Sequence, residues 1–321
     1  MPFDNIIARG DVPIRDGLLD DVLGIEGAQP GAARTLLRQV PVAKAQNRMA
    51  VLSALPTAYW VTGDTGIKQT TEVNWTNKFL QVEELAVIVP VPQNVLDDSD
   101  FDIWGESRPL VQDAIDRALD TAIFFGTGAP ASFPTNIQSA ATTAGNTTDL
   151  GTSTTAQGGV YGDLDNLFAL VEDDGFNVSG IAASRSLKSA LRRARNADGD
   201  RQDRDRVNST LTEIDGTPIA YVMDGLWPVA GGGQKGTLAF AGDFQRQFVL
   251  GIRKDVTFEV FREGVIQDNT GAIIYNLLQQ DMVALRVTFR AGWQVANTIN
   301  YANSNAATRY PAAVLRTPAV A

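Results

Sequence analysis

The sequence has 321 residues, of which 44% are hydrophobic; 27 lysines and arginines against 37 aspartates and glutamates leave a net charge of −10. This length admits two domains, or one domain with long excursions, and the hydrophobic share predicts a sizeable buried core. Cysteine and histidine are both absent, which excludes disulfides, thiolate nucleophiles, a histidine general base and most zinc sites. The acidic balance also argues against broad nucleic-acid binding, because phosphate affinity depends on lysine and arginine.

The chain carries no sequence signal for a membrane. It lacks a run of about 18 consecutive apolar residues. The N-terminus, MPFDNIIARGDVPIRDG, has no basic start, apolar centre and small-residue cleavage site. We therefore expect a soluble intracellular product without a membrane partner.

The first 47 residues differ from the rest in having few large apolar side chains. Short helices are possible at residues 18–27 and 32–40, but each has little to bury by itself. Two interpretations are open for residues 1–47: a frayed tail, or an arm that becomes ordered against another subunit.

A strand predicted at residues 49–59 leads into a polar, turn-rich excursion. Residues 61–66, VTGDTG, have the composition of a hairpin turn. Trp60 and Trp75 flank this turn. Ordering a free loop costs about 1–2 kcal/mol of backbone conformational entropy per residue. Burial of both rings against a neighbouring subunit is the expected compensation, and the alternative is that both rings pack on their own domain.

Residues 85–91, LAVIVPV, form an almost unbroken apolar run. Such a run is typical of a strand that is buried on both faces. Pro90 and Pro92 lack the N–H that a central strand needs, so we expect the strand to end, or to lie at a sheet edge, at this point.

A long amphipathic helix is predicted next. The acids of residues 97–100, DDSD, suit the positive end of a helix, and Pro109 predicts a kink or the restart of a second helical segment. Gly126 and Gly128, with Pro130 behind them, predict its end. The expected apolar stripe is Leu110/Val111, Ala114/Ile115, Ala118/Leu119 and Ala122/Ile123, and the expected polar face is Gln112, Asp113, Asp116, Arg117 and Asp120.

Further along, the polar stretch 137–159 is predicted to be a surface loop and residues 297–321 a loose tail. Helices and strands are mixed without regular alternation, which favours an α+β fold. The elements expected between them are helices at 163–172 and 186–196, strands at 180–184, 215–224, 256–261 and 282–291, a strand–turn–strand at 237–252, and loops at 197–210 and 231–236.

No stretch assembles into a catalytic constellation, so we assign no catalytic, cofactor-binding or metal-binding residue. The GTG of residues 126–128 ends a helix and therefore lacks the strand-to-helix context of a dinucleotide fingerprint. GGGQKGT at 231–237 lacks the phosphate-loop spacing and is read as a tight turn. The acids Asp97, Asp98, Asp100, Asp102 and Glu106 are candidate Mg²⁺ or Ca²⁺ ligands, but helix capping explains them more simply.

A basic segment extends from Arg185 to Arg206 and includes Arg192, Arg193 and Arg195. Acids are interspersed along it and aromatic residues are missing. These features favour a solvated face or a salt-bridging subunit contact over a nucleic-acid site.

Taken in order, these features resemble the major capsid proteins of tailed phages with the Hong Kong 97-type fold, over about residues 48–296. The motifs that carry the resemblance are VPVPQNVLDDSDFDIWGESRP, ALDTAIFFGTGAPASFP, SGIAASRSLKSALRRARNADGD, IDGTPIAYVMD, AGDFQRQFVLGIRKDVTFEVFRE and QQDMVALRVTFRAGWQV. Each is weak alone, and their shared order and spacing are specific.

The resemblance implies four parts. The N-terminal arm is expected at 1–47 and the extended loop hairpin at 48–83. The peripheral domain with its long spine helix is expected at 84–134 and 253–291. The axial domain is expected at 135–252, returning at 292–321 with the C-terminal tail. Trp60, Lys68, Trp75, Arg192, Arg193 and Arg195 are the candidate subunit-contact residues.

The resemblance also implies partners and a location. The protein is expected to assemble with itself into pentamers and hexamers, which form an icosahedral head around double-stranded DNA that is held without sequence-specific binding. It is expected to reside in the virion after assembly in the host cytoplasm. A portal protein is an expected partner, and a decoration or cement protein is a further candidate.

Two departures from the family pattern refine this expectation. Some members carry a scaffolding domain of about a hundred residues before the arm, whereas Met1 here leads directly into it, which indicates a separate scaffolding protein. Some members crosslink a loop lysine to a neighbour's asparagine with the help of a glutamate. Lys68 and Asn276 lie at suitable places, but no glutamate lies between Asn276 and Ala296, so we predict no self-crosslinking.

Two other functions stay open from the sequence. An encapsulin-like nanocompartment shell shares the fold but encloses cargo proteins. A carboxylate-metal hydrolase is a more remote alternative from a different class.

Overall fold

The computed structural model describes residues 31–61, 66–99, 102–195, 211–222, 227 and 236–317, which divide into two compact units. The first unit contains the described residues of Glu83–Asp116 and Arg253–Ala291. The second contains those of Pro30–Val82, Arg117–Ile252 and Gly292–Ala321. The predicted helix at 18–27 and the predicted loop at 197–210 lie outside the described residues. So do residues 231–235 of the turn predicted at 231–236, residues 62–65 of the predicted hairpin turn, and Asp100.

Helices and strands are mixed along the described chain, as the sequence predicts for an α+β fold. The helices are α1 (Ala32–Leu36), α2 (Gln93–Asp98), α3 (Ile103–Asp120), α4 (Ile137–Ala144), α5 (Gly159–Asp173), α6 (Arg185–Arg193) and α7 (Phe244–Gln247), with a π-helical turn at Thr121–Phe125 and a 3-10 turn at Thr155–Gln157. The strands are β1 (Arg38–Pro41), β2 (Gln46–Ala54), β3 (Asn74–Gln81), β4 (Glu83–Pro92), β5 (Thr147–Asp149), β6 (Gly180–Ser184), β7 (Glu213–Ile214), β8 (Thr217–Val222), β9 (Thr237–Gly242), β10 (Phe248–Phe261), β11 (Val265–Gln267), β12 (Ile273–Asn276), β13 (Met282–Val295) and β14 (Ala312–Arg316).

In the first unit, β4 pairs antiparallel with β13, from Glu83 opposite Ala291 to Pro92 opposite Met282. β4 is the outermost strand of the described sheet, which confirms the edge position that the prolines indicate. Burial on both faces was the wrong expectation, because exposure alternates along β4 and 48% of Ile88 is exposed. The other face contributes Val91 to a small core with Val95 and Ile103.

Helix α3 begins later than the sequence predicts. The acids Asp97 and Asp98 end the short helix α2 instead of starting the long one. Asp102 precedes the first turn of α3, and its side chain accepts a 3.1 Å hydrogen bond from the backbone N–H of Trp104. The helix neither ends nor restarts at Pro109. The π-helical turn Thr121–Phe125 continues it, and the helical segment ends at Gly126 as predicted, in the left-handed conformation with φ 74°.

The polar face predicted for this helix is only partly correct. Val111, Ile115 and Leu119 are buried as expected, but half of the Leu110 side chain is exposed. The three aspartates of the expected solvated face, Asp113, Asp116 and Asp120, are all buried. Sequence periodicity predicts the helix, but it does not show which other parts of the chain contact its polar side. Asp120, for example, is covered by α1.

Asp120 caps helix α1 within the second unit. Its two carboxylate oxygens each accept a 2.8 Å hydrogen bond, one from the backbone N–H of Ala32 and one from that of Ala33. The four residues Ala32, Ala33, Leu36 and Leu37 are buried, and β1 then pairs parallel with β10. Residues 31–41 are therefore packed against their own chain, and the predicted helix at 32–40 gives way to a strand from Arg38.

The core of the second unit is a six-stranded sheet with the order β5-β14-β9-β6-β8-β7. Strand β6 pairs parallel with β8 and antiparallel with β9. Apolar side chains of α5 and α6, including Leu164, Leu167 and Leu187, are fully buried in the cluster that covers this sheet. The predictions for α5, α6, β6, β8 and β9 are confirmed in type and, within a few residues, in position.

Two segments predicted to be irregular are ordered parts of this unit. The low-complexity stretch 137–159 contains α4, because the Asn136 side chain accepts the N–H of Ser139 (2.8 Å) and Ile137 and Ala141 are buried one turn apart. The expected loose tail contains β14, which pairs with both β5 and β9. The sequence does not indicate this strand because two of its residues are alanines, which have little strand preference. In the sheet, Ala312 and Ala313 are as fully buried as Val314.

Asparagines also order the segment that precedes β14. The buried Asp174 carboxylate accepts hydrogen bonds from Asn146 (2.8 Å), from Asn303 (2.7 Å) and from the backbone N–H of Tyr310 (2.9 Å). A buried carboxylate with three donors is well satisfied. The asparagine-rich composition therefore supports hydrogen bonding in this segment.

Candidate subunit interface

Strands β2 and β3 form a two-stranded antiparallel hairpin, here defined as residues 46–81. Residues that face each other in the ladder share one side of it, so the register places Leu52 with Trp75 and Arg48 with Phe79 on one face. The opposite face carries Val51 and Leu80, both of which are buried. The hairpin thus has one face towards its own chain, and a second face with Leu52, Trp75 and Phe79 that the described part of the chain leaves largely exposed.

The uncovered side chains are large. Trp60 is 100% exposed, Trp75 is 65% exposed and Phe79 is 50% exposed. These values rule out the alternative that both indole rings pack on their own domain. Full burial of one tryptophan removes about 200 Å² from water, worth about 5 kcal/mol before entropic costs. Exposed rings of this size offer apolar area that contact with a second protein surface could bury.

Lys68 is exposed on the same excursion. Asn276, its expected counterpart in the crosslinking members of the family, ends β12 and donates a 2.9 Å hydrogen bond from its Nδ2 to Gln279.

The base of the hairpin is held by polar contacts to the end of β13. The Lys78 ammonium donates a 2.9 Å hydrogen bond to the carbonyl of Val295, and Gln294 donates a 2.8 Å hydrogen bond to the carbonyl of Phe79. Burial lowers the pKa of Lys78, and the nearby positive charge of Arg309 lowers it further. Both effects raise the free energy of the charged ammonium, and its hydrogen bond to the Val295 carbonyl offsets part of that cost.

Helix α6 places the three predicted arginines at its C-terminal end. Leu187 and Leu191 are buried beneath it, while Arg192, Arg193 and Arg195 are exposed. Arg195 Nη1 donates to the carbonyls of Arg192 (2.9 Å) and Ala194 (3.0 Å), which suits a cation at a helix C-terminus. These side chains share one region, separate in sequence from the hairpin.

Tyr221, on the neighbouring β8, has a raised pKa. Burial raises the pKa of Tyr221 to about 12, against an opposing effect of Arg192. Its hydroxyl donates a 2.6 Å hydrogen bond to the carbonyl of Leu211, and Lys188 lies 5.0 Å from its ring centre.

The exposed face of the first unit's sheet carries a charge ladder that sequence reasoning missed. Glu84 pairs with Arg290 across β4 and β13, and Arg286 pairs with Glu259. The Arg286 guanidinium also lies 4.4 Å from the Phe261 ring centre, and its hydrogen bond lowers the pKa of Glu259. The sequence feature that could have indicated this ladder is the alternation of polar and apolar residues in β13, whose polar positions are Arg286, Thr288 and Arg290.

The remaining candidate residues have structural partners of their own. Asp97 accepts a 2.9 Å hydrogen bond from Gln93, and Asp102, just before α3, accepts the backbone N–H of Trp104. Across the described residues, no group of three or more acidic side chains converges as a metal site would require. Gly126 and Gly128 both have positive φ at the end of a helix, where the backbone presents carbonyl groups, whereas phosphate binding at helices uses the N–H groups of the N-terminus. In the same described part of the chain, no helix is long and apolar enough to cross a bilayer.

Solved structures with this architecture define the class of protein as a capsid subunit of the Hong Kong 97 type. A structure from Microbacterium phage Oxtober96 is 36% identical, has a TM-score of 0.80 and covers 98% of this chain and 100% of its own. A structure from Mycobacterium phage Cain is 25% identical, with a TM-score of 0.82 over 99% of this chain and 100% of its own.

Sequence comparison adds the family. Residues 29–299 match the profile of the phage capsid family. The major capsid protein of Staphylococcus phage 80alpha is 24% identical over 260 residues, which are 80% of this chain and 74% of that protein. The match spans more than half of the sequence, and the chain belongs to the phage capsid family.

Membership in this family defines the function as structural. Phage capsid proteins assemble in many copies into the shell of the virion, and this chain is such a shell subunit. The phage origin of the matches favours a phage head over a nanocompartment, and the structural family disfavours the carboxylate-metal hydrolase.

Proposed function

We propose that this protein is the major capsid protein of a tailed phage and that it forms pentamers and hexamers of an icosahedral head around double-stranded DNA. The single observation that carries the proposal is the folded hairpin with Trp60 and Trp75 exposed. Exposed apolar surface of this extent indicates a protein–protein contact. Head-to-tail contacts between copies close into rings, as a head requires.

We infer how the four expected parts of the subunit map onto the two compact units. We propose that the first unit, which contains α3 as far as Asp116, corresponds to the peripheral domain expected at 84–134 and 253–291, with residues 117–134 falling in the second unit instead. The six-stranded sheet of the second unit corresponds to the axial domain expected at 135–252 and 292–321. The hairpin corresponds to the extended loop of 48–83, and residues 1–47 to the N-terminal arm.

Two surfaces are proposed to contact neighbouring copies. The first is the apolar face and end of the hairpin, with Trp60, Trp75 and Lys68. The second is the basic end of α6, with Arg192, Arg193 and Arg195. The tryptophans supply burial energy, whereas exposed arginine pairs contribute about 1 kcal/mol or less each and chiefly set orientation.

The further partners follow from the same proposal. We infer a separate scaffolding protein, a portal protein and packaged DNA without sequence-specific contacts, with a decoration or cement protein as a further candidate. Assembly is proposed to take place in the host cytoplasm, without membrane contact, enzymatic activity or a cofactor. The absence of self-crosslinking is tested on denaturing gels of mature particles, where a covalent ladder would contradict it.

The proposal is tested by expressing the protein with and without its neighbouring genes and imaging the product by negative-stain electron microscopy. Closed shells or capsomers are the expected result, and monomers alone under both conditions would overturn the proposal. Nuclease-protected DNA inside particles from infected cells distinguishes a phage head from a nanocompartment, which would contain protein cargo.

A hairpin variant tests the contact itself. Trp75→Ser is expected to leave the circular dichroism spectrum unchanged and to reduce assembled particles at least tenfold, because the indole is exposed in the single chain. Trp75→Phe is the matched control and should assemble, since it retains most of the apolar area. Equal assembly by all three proteins would remove Trp75 from the proposed contact.

A further inference from the structure

The base of the hairpin crosses β13 at a point where only a hydrogen atom fits. A Cβ atom at Gly292 would lie 1.9 Å from the carbonyl oxygen of Gln81 and 2.7 Å from its carbonyl carbon. Real Cβ contacts of this kind are not shorter than about 3.0 Å, because van der Waals repulsion is steep. The backbone at Gln81 therefore rests directly on Gly292.

A second glycine on the adjacent strand makes a similar contact. A Cβ atom at Gly251, on β10, would lie 2.9 and 3.1 Å from the two methyl groups of Leu80 and 3.2 Å from a methyl group of Val42. Leu80 is 3% exposed, so its side chain has little room to retreat. The two contacts differ in kind, since Gly292 meets backbone and Gly251 meets the end of a side chain.

Backbone conformation does not explain either glycine. Neither is among the described residues with positive φ, and both lie within regular strands, where glycine weakens the strand relative to residues with side chains. Glycine lowers the stability of the strand, but at these two positions it allows the hairpin to pack closely against β10 and β13. The two hydrogen bonds from Lys78 and Gln294 tie β3 and the end of β13 together at the same place.

We propose that Gly251 and Gly292 form a platform that sets the direction in which the hairpin extends from β10 and β13, and that they are positioning residues for the subunit contact. The functional half of this inference rests on the proposed role of the hairpin in assembly. The eight residues of β3 extend about 25 Å from the platform, so a rotation of about 10° at the base moves the far end by about 4 Å. Such a displacement is enough to take a tryptophan out of a fitted pocket.

The experiment compares Gly292→Ala, Gly251→Ala, Leu80→Val and the double variant Gly251→Ala/Leu80→Val. The chain has no native cysteine, so a spin-label pair at Thr76→Cys and Glu172→Cys, both exposed in the second unit, reports the hairpin direction. Hydrogen exchange of the six-stranded sheet reports whether the unit is folded, and sedimentation reports the assembled fraction.

Gly292→Ala is expected to retain the exchange protection of the sheet, to shift the spin-label distance by several ångströms and to lower the assembled fraction at least tenfold. Gly251→Ala should give a smaller shift, and adding Leu80→Val in the double variant should reverse that shift, because the side chain becomes one methylene shorter and its methyl groups withdraw from position 251. The reversal is a result that simple destabilisation would not produce, because Leu80→Val alone removes core contacts.

An unchanged spin-label distance in Gly292→Ala would overturn the platform. A shifted distance with normal assembly would overturn its role in positioning the contact. If the unaltered protein forms no particles, the proposed function fails, and the distance measurements on the unassembled protein still decide whether the platform exists.

Discussion

Removal of the Asp120 carboxylate should release helix α1 and the segment that follows it. Asp120 is buried at the end of α3 and accepts two 2.8 Å hydrogen bonds from the first turn of α1. Asp120→Ala leaves two backbone N–H groups without this acceptor. Loss of a helix cap costs about 0.5–2 kcal/mol, and hydrogen bonds to a charged group are worth about 1.5–3 kcal/mol each. We expect a loss of about 3 kcal/mol in the free energy that holds α1 in place.

Hydrogen exchange measured by mass spectrometry is the direct assay. A loss of about 3 kcal/mol corresponds to about a hundredfold faster exchange, since each 1.4 kcal/mol is a factor of ten. The increase should be confined to peptides that cover residues 31–41, while the six-stranded sheet keeps its protection. Asp120→Asn is the matched control; it keeps one acceptor oxygen and should show an intermediate effect. Unchanged exchange at residues 31–41 in Asp120→Ala would refute the capping role.

Three further predictions concern the second unit and the shell. Leu315→Ala, in β14, should lower the free energy of unfolding by about 2–5 kcal/mol, measured by urea denaturation; a change below 1 kcal/mol would mean that β14 is not part of the core. The pKa of Tyr221 is raised to about 12, so its stabilisation is present below the unfolded value of about 10 and is lost as the pH rises through 12; Tyr221→Phe should flatten the stability curve over that range, and an identical curve would contradict this. Charge reversal at Arg192 and Arg193 should slow assembly most at low salt, and turbidity kinetics without any salt dependence would remove α6 from the contact.

Local patterns predicted most of the regular elements. The apolar run of β4 and its prolines indicated an edge strand, and the GTG turn indicated where the long helix stops. Both depend on neighbours in sequence, so both are readable from it. The same holds for α5, α6 and β6, which have continuous apolar patterns and clear ends.

The errors arose where distant parts of the chain supply the partner. The tail from Asn297 looked loose because alanine and asparagine dominate it, yet Asp174 holds its asparagines and β9 pairs with its strand. Asp120 looked solvated because helical periodicity places it opposite the apolar stripe, whereas α1 brings two N–H donors to it. A local window does not contain these contacts.

The candidate contact residues also show which features follow from local sequence and which depend on the tertiary structure. The sequence by itself determined that two tryptophans lie on a polar excursion and that the chain resembles a capsid subunit. Only the tertiary structure decided that the described part of the chain leaves both rings exposed and that Leu80 and Gln81, at the base of the excursion, pack against Gly251 and Gly292. The physical reason is that burial and close approach depend on which strands lie side by side, and strand order is set by long-range pairing.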